Sequence, residues 1–212
     1  MNFKPFNPDG DTRKFRNHLP HWRQAGVMYF VTTRLADSIP QGTLRAWHEE
    51  RDIWLRVNGC TTSADVDTLP EKTRTEFHQR FTAKFHELLD AGAGACLLRD
   101  SENARIVGDA LRFFDGERYS LGDFVVMPNH LHALVTPADG HDLSRILQSW
   151  KRFSALEINR RVGRMGSLWQ AESFNHIVRS EEHLGRFRRY IAENPVKAKL
   201  RAGEFLHWRA AE

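Results

Sequence analysis

Cysteine is scarce: only Cys60 and Cys96 occur in 212 residues, with no CxxC pair and no framework spacing. That excludes a disulfide scaffold and makes a reducing, cytoplasmic compartment the expectation. No apolar run approaches the roughly 18 residues that a membrane span requires, so no membrane partner is expected. The opening Met1–Gly10 is polar and turn-rich, unlike a signal peptide. No Gly-rich phosphate loop follows the first strand-like segment, which argues against a doubly wound nucleotide fold. Repeats, low-complexity tracts and Pro/Ser-rich linkers are also missing. The length therefore suits one domain over 1–212, with the polar stretch 58–70 as a loop or insertion. Tyrosine is rare too, confined to Tyr29, Tyr119 and Tyr190.

What is present is an ordinary core-forming composition, 41% hydrophobic and 27% charged, which excludes an acidic disordered chain. Lys and Arg exceed Asp and Glu by 31 to 27, a formal charge of +4 that suits a phosphate-bearing partner. The excess is local: the stretch 151–164 holds five Lys/Arg against one acid, Glu157.

Local patterning gives the element order. The β-branched and aromatic run Val27–Arg34 predicts a strand. Helices are expected over 43–57 and about 71–89, the second from Phe77, Phe81, Phe85, Leu88 and Leu89. A strand-like link at Cys96–Leu98 precedes a helix capped by Ser101 and running through Phe114. Extended runs follow at Tyr119–Pro128 and Leu131–Pro137, then a long helix after Asp142. A last strand spans Phe174–Arg179, and Ser180 caps a final helix limited by Pro195. This mixed order predicts an α+β fold, a ferredoxin-like antiparallel sheet with helices packed on it.

Two motifs carry chemistry. Within Met127-Pro128-Asn129-His130-Leu131-His132, a strand places both imidazoles on one face, with Leu131 toward the other. Two neutral imidazoles on one face form a bidentate metal platform, and polar rings in an apolar setting need partners. In Tyr190-Ile191-Ala192-Glu193-Asn194-Pro195-Val196, Tyr190 and Asn194 stand four apart, roughly 40° around a helix. They lie beside the apolar stripe Leu184, Phe187 and Ile191.

Together with Tyr29–Leu35 and Leu168-Trp169-Gln170, these motifs resemble the HUH endonucleases, specifically the IS200-like and REP-associated tyrosine transposases. The resemblance runs from about 15 to 205 in the family's order and does not reach 58–70. It implies a single-strand DNA endonuclease and strand transferase acting at hairpin DNA through a 5′-phosphotyrosine. By position, Tyr190 is the implied nucleophile, and His130, His132 and Asn194 the implied metal ligands for Mg²⁺ or Mn²⁺. Many insertion-sequence relatives carry Gln where this chain has Asn194; both offer a neutral amide oxygen. Some relatives exchange helices between subunits, so both monomer and homodimer remain open.

DNA contacts are expected from Lys151, Arg152, Arg160, Arg161 and Arg164, and near the site from Trp169 and Gln170. A nucleic-acid-binding module without catalysis is the alternative reading, since RNA-binding sheets share this layering. A hydrolytic metallo-phosphoesterase ranks third, because no Asp/Glu motif suggests a second metal.

Overall fold

A computed structural model of the chain describes residues 13–16, 20–23, 26–63 and 65–210. The polar opening Met1–Gly10 lies outside them. A two-stranded ribbon, β1 (Arg13–Arg16) and β2 (Pro20–Arg23), precedes β3 (Tyr29–Arg34). An arm of helices follows: α1 (Gln41–Val57), a 3₁₀ turn (Asp65–Thr68), α2 (Glu71–Phe77), a π-helical turn (His78–Ala83) and α3 (Lys84–Asp90). The remainder is α4 (Ser101–Arg112), β4 (Tyr119–Val126), β5 (His130–Pro137), α5 (Leu143–Val162), β6 (Phe174–Ile177), α6 (Glu181–Lys197) and β7 (Leu206–Trp208).

The main sheet has the order β6-β3-β5-β4-β7, and every neighbouring pair is antiparallel. Without the edge strand β7, this is the ferredoxin-like arrangement, and the expected α+β class holds. Alternation along the strands builds two cores. Odd-numbered residues such as Val31, Leu131, Ala133 and Val135 pack under α4 and α5, against Val107, Leu111, Ile146 and Trp150. Even-numbered residues Met28, Phe30 and Leu134 face α6, meeting Ile191, Phe187 and Leu184. The arm holds a third cluster of its own, with Trp54, Cys60, Val66, Phe77 and Phe81 at its centre.

Phe30 sits where the α6 core meets the histidines. It is fully buried, stacks on Phe187 at 4.2 Å and on His132 at 5.3 Å. Phe30→Ala is expected to cost about 3–5 kcal/mol in a urea-unfolding measurement, the range for emptying a packed aromatic site. A loss under 1 kcal/mol would mean that α6 is not seated as described.

Residues 58–70 join α1 to α2 as a loop around one 3₁₀ turn, with Cys60 and Val66 buried against Trp54 and Phe81. Several local expectations are corrected. Cys96 takes a left-handed φ of 49° and leads into a 3₁₀ turn, Leu97–Arg99, where a strand-like link was expected. The cap of α4 is Asp100 rather than Ser101, because its carboxylate accepts from the backbone of both Glu102 and Asn103. Pro195 lies inside α6, which continues to Lys197; its ring costs one backbone hydrogen bond in the last turn without stopping the helix. Ser180 does cap α6, accepting from the backbone N–H of His183.

Candidate functional site

Strand β5 and helix α6 bring the two sequence motifs together. His130 and His132 point from β5 toward α6, their ring centroids 4.7 Å apart. The Tyr190 hydroxyl lies 3.5 Å from His132 Nε2, with ring centroids 5.1 Å apart. Asn194 stands one turn further along α6 and is fully buried. The phenol, both imidazoles and the amide thus meet within one chain.

Each imidazole is held from behind. Thr32 is the register partner of His132, and its Oγ1 lies 2.8 Å from His132 Nδ1. Asn129 Oδ1 lies 2.7 Å from His130 Nδ1, while Asn129 Nδ2 donates to the carbonyls of Leu89 and Ala93. Those two bonds fix which way the amide points: its oxygen faces the ring, so His130 carries its proton on Nδ1 and its lone pair on Nε2.

Two residues that the sequence reading did not single out complete the cluster, both from α3. Asp90 Oδ1 is 3.7 Å from His130 Nε2, and the His86 ring is 5.3 Å from Tyr190 and 5.7 Å from His132. The i,i+4 spacing of His86 and Asp90 on one helix was the available signal. Among the described residues, His130 Nε2, His86 Nε2, Asp90 Oδ1 and both amide atoms of Asn194 are buried without a hydrogen-bond partner. Orphaned polar atoms converging at one place are unfavourable unless something binds them. No three His, Cys, Asp or Glu side chains among the described residues form a ready metal cluster by themselves. The donor set of two imidazoles with the Asn194 oxygen, each imidazole anchored through Nδ1, nevertheless suits a divalent cation.

The electrostatics follow from burial. It pushes the Tyr190 phenol above its ordinary value, helped by the Asp90 carboxylate and opposed by the Asn194 amide. Burial also raises Asp90 to about 6, while Lys197 and Asn194 draw it back. Lys197 Nζ lies 5.8 Å from the centre of the Tyr190 ring. Arg188, next but one to Tyr190 in sequence, is spent on Asp123 at 2.9 Å. The histidines move the other way. Burial lowers His130 to about 3, His86 to about 4 and His176 to about 3, with His132 well below its usual value. At neutral pH these rings are uncharged and able to act as ligands.

The same shifts set an acid limit. Below about pH 6.5 the unfolded chain protonates its histidines while the folded chain does not, so stability is lost as pH falls. Each ring contributes a slope of roughly 1.4 kcal/mol per pH unit. Asp90 acts in the opposite sense between its folded value of about 6 and its ordinary value of 3.8, one group against several. Without divalent cations, the urea midpoint is expected to be level from pH 8 to 7 and to fall steeply between 6.5 and 4.5. A level profile to pH 4.5 would contradict neutral, desolvated rings.

The residues expected to contact DNA are scattered differently. Helix α5 packs on the opposite sheet face from His130 and His132. Lys151 is turned inward, donating to the carbonyls of Gln170 and Ala171 and to Ser173 Oγ. Arg160 pairs with Glu157, and Arg161 with Asp100 and Asn103. Arg164 donates to the Ser167 carbonyl, and Arg152 is exposed. Trp169 is buried in the α5 core, its indole donating to Ser154 Oγ. Gln170 binds the Ala36 carbonyl beside the arm.

Residues 110–194 match the model of the family described as transposase IS200-like. A solved structure, that of a REP-associated tyrosine transposase bound to a REP hairpin, is similar over 84% of this chain and 71% of its own, at 16% identity and a TM-score of 0.45. No curated protein matches the chain. No helix among the described residues is long and apolar enough to cross a membrane. The matched stretch contains His130, His132, Tyr190 and Asn194.

Proposed function

We propose that this chain is a metal-dependent, single-strand DNA endonuclease and strand transferase. The observation that carries the reading is the 3.5 Å approach of the Tyr190 hydroxyl to His132, in a cluster of buried, unpartnered donors. Hairpin DNA as the setting follows the motif resemblance.

His130, His132 and Asn194 would hold the Mg²⁺ or Mn²⁺ ion. When bound, a divalent cation offsets the charge on the phosphate oxygens and lowers the cost of forming a phenolate. The other tasks fall to the chain. The Tyr190 oxygen attacks phosphorus, an O–P bond forms, and the bond from phosphorus to the departing 3′-oxygen breaks. The products are a 5′-phosphotyrosine and a 3′-hydroxyl that takes up a proton. Because the phosphotyrosine is itself a phosphodiester, attack by a DNA 3′-hydroxyl reverses the step and joins strands without a nucleotide cofactor. With His132 committed as a ligand, Asp90 and His86 are the groups left beside the phenol to take its proton, while Lys197 is paired with Glu193 at 3.0 Å. A binder without catalysis accounts for the sheet but leaves the phenol and imidazoles without a role.

Incubation with labelled hairpin DNA carrying a single-stranded flank, in Mn²⁺, is expected to give a covalent protein–DNA species that survives denaturing gel electrophoresis. Its absence across hairpins of varied flank, with binding intact, would favour the binder.

A further inference from the structure

The helical arm, which lies outside the matched stretch, encloses a cavity of about 550 Å³ against the β6–β3 edge of the sheet. That is the size of a small-ligand pocket. Its lining combines flat apolar faces with fixed polar groups. Trp47, Phe85 and Phe174 supply rings, 5.1 Å apart between the first two and 6.3 Å between the last two. Arg34 lies 5.7 Å over the Phe85 ring and donates to Ser38 Oγ, and the Glu172 carboxylate on the same lining favours its charged form. Gln170 donates its amide nitrogen to the Ala36 carbonyl, and its side-chain oxygen has no hydrogen-bond partner among the described residues.

The cavity adjoins the cluster around Tyr190. Thr32 lines it and also holds His132. Phe174 lines it and touches His86 at 6.3 Å, and His86 in turn touches Tyr190 at 5.3 Å. A strand whose phosphate sits at Tyr190 therefore has a cleft with ring faces, a cation and an amide oxygen within reach of a neighbouring nucleotide. Ring faces bind an unpaired base of any kind, whereas donors and acceptors in a plane read its edge.

We propose that this cavity receives one unstacked base of the single-stranded DNA next to the scissile phosphate, stacked against the aromatic rings that line it and met by Arg34 and Gln170. The proposal rests on the DNA-cleaving reading for its neighbour, but it is tested by binding alone. The full chain carrying Tyr190→Phe is titrated, by fluorescence anisotropy, with hairpin oligonucleotides in which one flanking nucleotide at a time is made abasic. One position close to the cut is expected to weaken binding about tenfold, as the loss of one stacked base does, with other flank positions nearly level. Phe85→Leu and Trp47→Leu should each lower affinity for the intact oligonucleotide and flatten the scan.

A level scan with tight binding overturns the proposal, as does a sensitive position that persists unchanged in both variants. So does tight binding of free deoxynucleoside monophosphates combined with a level scan, which would make the cavity a nucleotide site unrelated to the strand. The scan needs no cavity variant, so a misfolded substitution does not blunt it. If the unmodified chain forms no adduct while one flank position remains sensitive, cleavage falls and the base pocket stands.

Discussion

Tyr190→Phe is expected to reduce the covalent adduct and strand cleavage by at least about 10⁴-fold, the scale seen when a covalent nucleophile is removed. The chain has no substitute for it. Tyr29 is buried on the sheet face away from the histidines, within the core under α4 and α5. Tyr119 lies in that same core, its hydroxyl donating to the Leu111 carbonyl and accepting from the Trp150 indole. The substitution removes one oxygen and keeps the ring against Phe30, His86 and His132, so unfolding stability should change by less than about 1 kcal/mol. Adduct formed as readily by Tyr190→Phe would place the nucleophile elsewhere and end the assignment of Tyr190.

A loss of comparable size is expected at the histidines. His130→Asn or His132→Asn should lower Mn²⁺-supported cleavage by about 10³-fold or more, since a cation facing the phosphate contributes several kcal/mol to the transition state. Loss of activity alone would not separate a ligand from a packing residue, because both rings are almost completely buried. Thermal unfolding with and without Mn²⁺ makes that separation. Saturating metal should raise the midpoint of the unmodified chain, because binding only to the folded state stabilises it by mass action. In the histidine variants that rise should vanish. A rise of equal size in both variants would assign the cation to other groups.

The sheet and its two faces were legible because strand alternation is enforced by burial on both sides. Once Phe30 faces one core and Val31 the other, the direction of His130 and His132 follows. Helix α6 was legible from its stripe and its cap at Ser180. The arm was not. Its π-helical turn at His78–Ala83 breaks the 3.6-residue period, so the phase that brings His86 and Asp90 to the site cannot be extrapolated from Phe77 and Phe81. Trp169 illustrates the opposite difficulty. An aromatic beside a glycine-bearing loop resembles a contact residue, yet its indole had a buried partner in Ser154 that no local pattern announces. Lys151 likewise belongs to a basic run by sequence but closes the 170–173 turn by its bonds.

Asn129 ties the helical arm to the histidine pair. One side-chain amide reads the exposed end of the arm through two carbonyls and, from its other side, dictates the tautomer of His130. Fraying of the last turn of α3 removes the reason for the amide to keep its orientation. Rotated end for end, it would present hydrogens to the ring and move the proton to Nε2, leaving that nitrogen without a free lone pair. The arm and the ring are thereby joined through one amide, and the packing of α3 sets which nitrogen of His130 carries the proton.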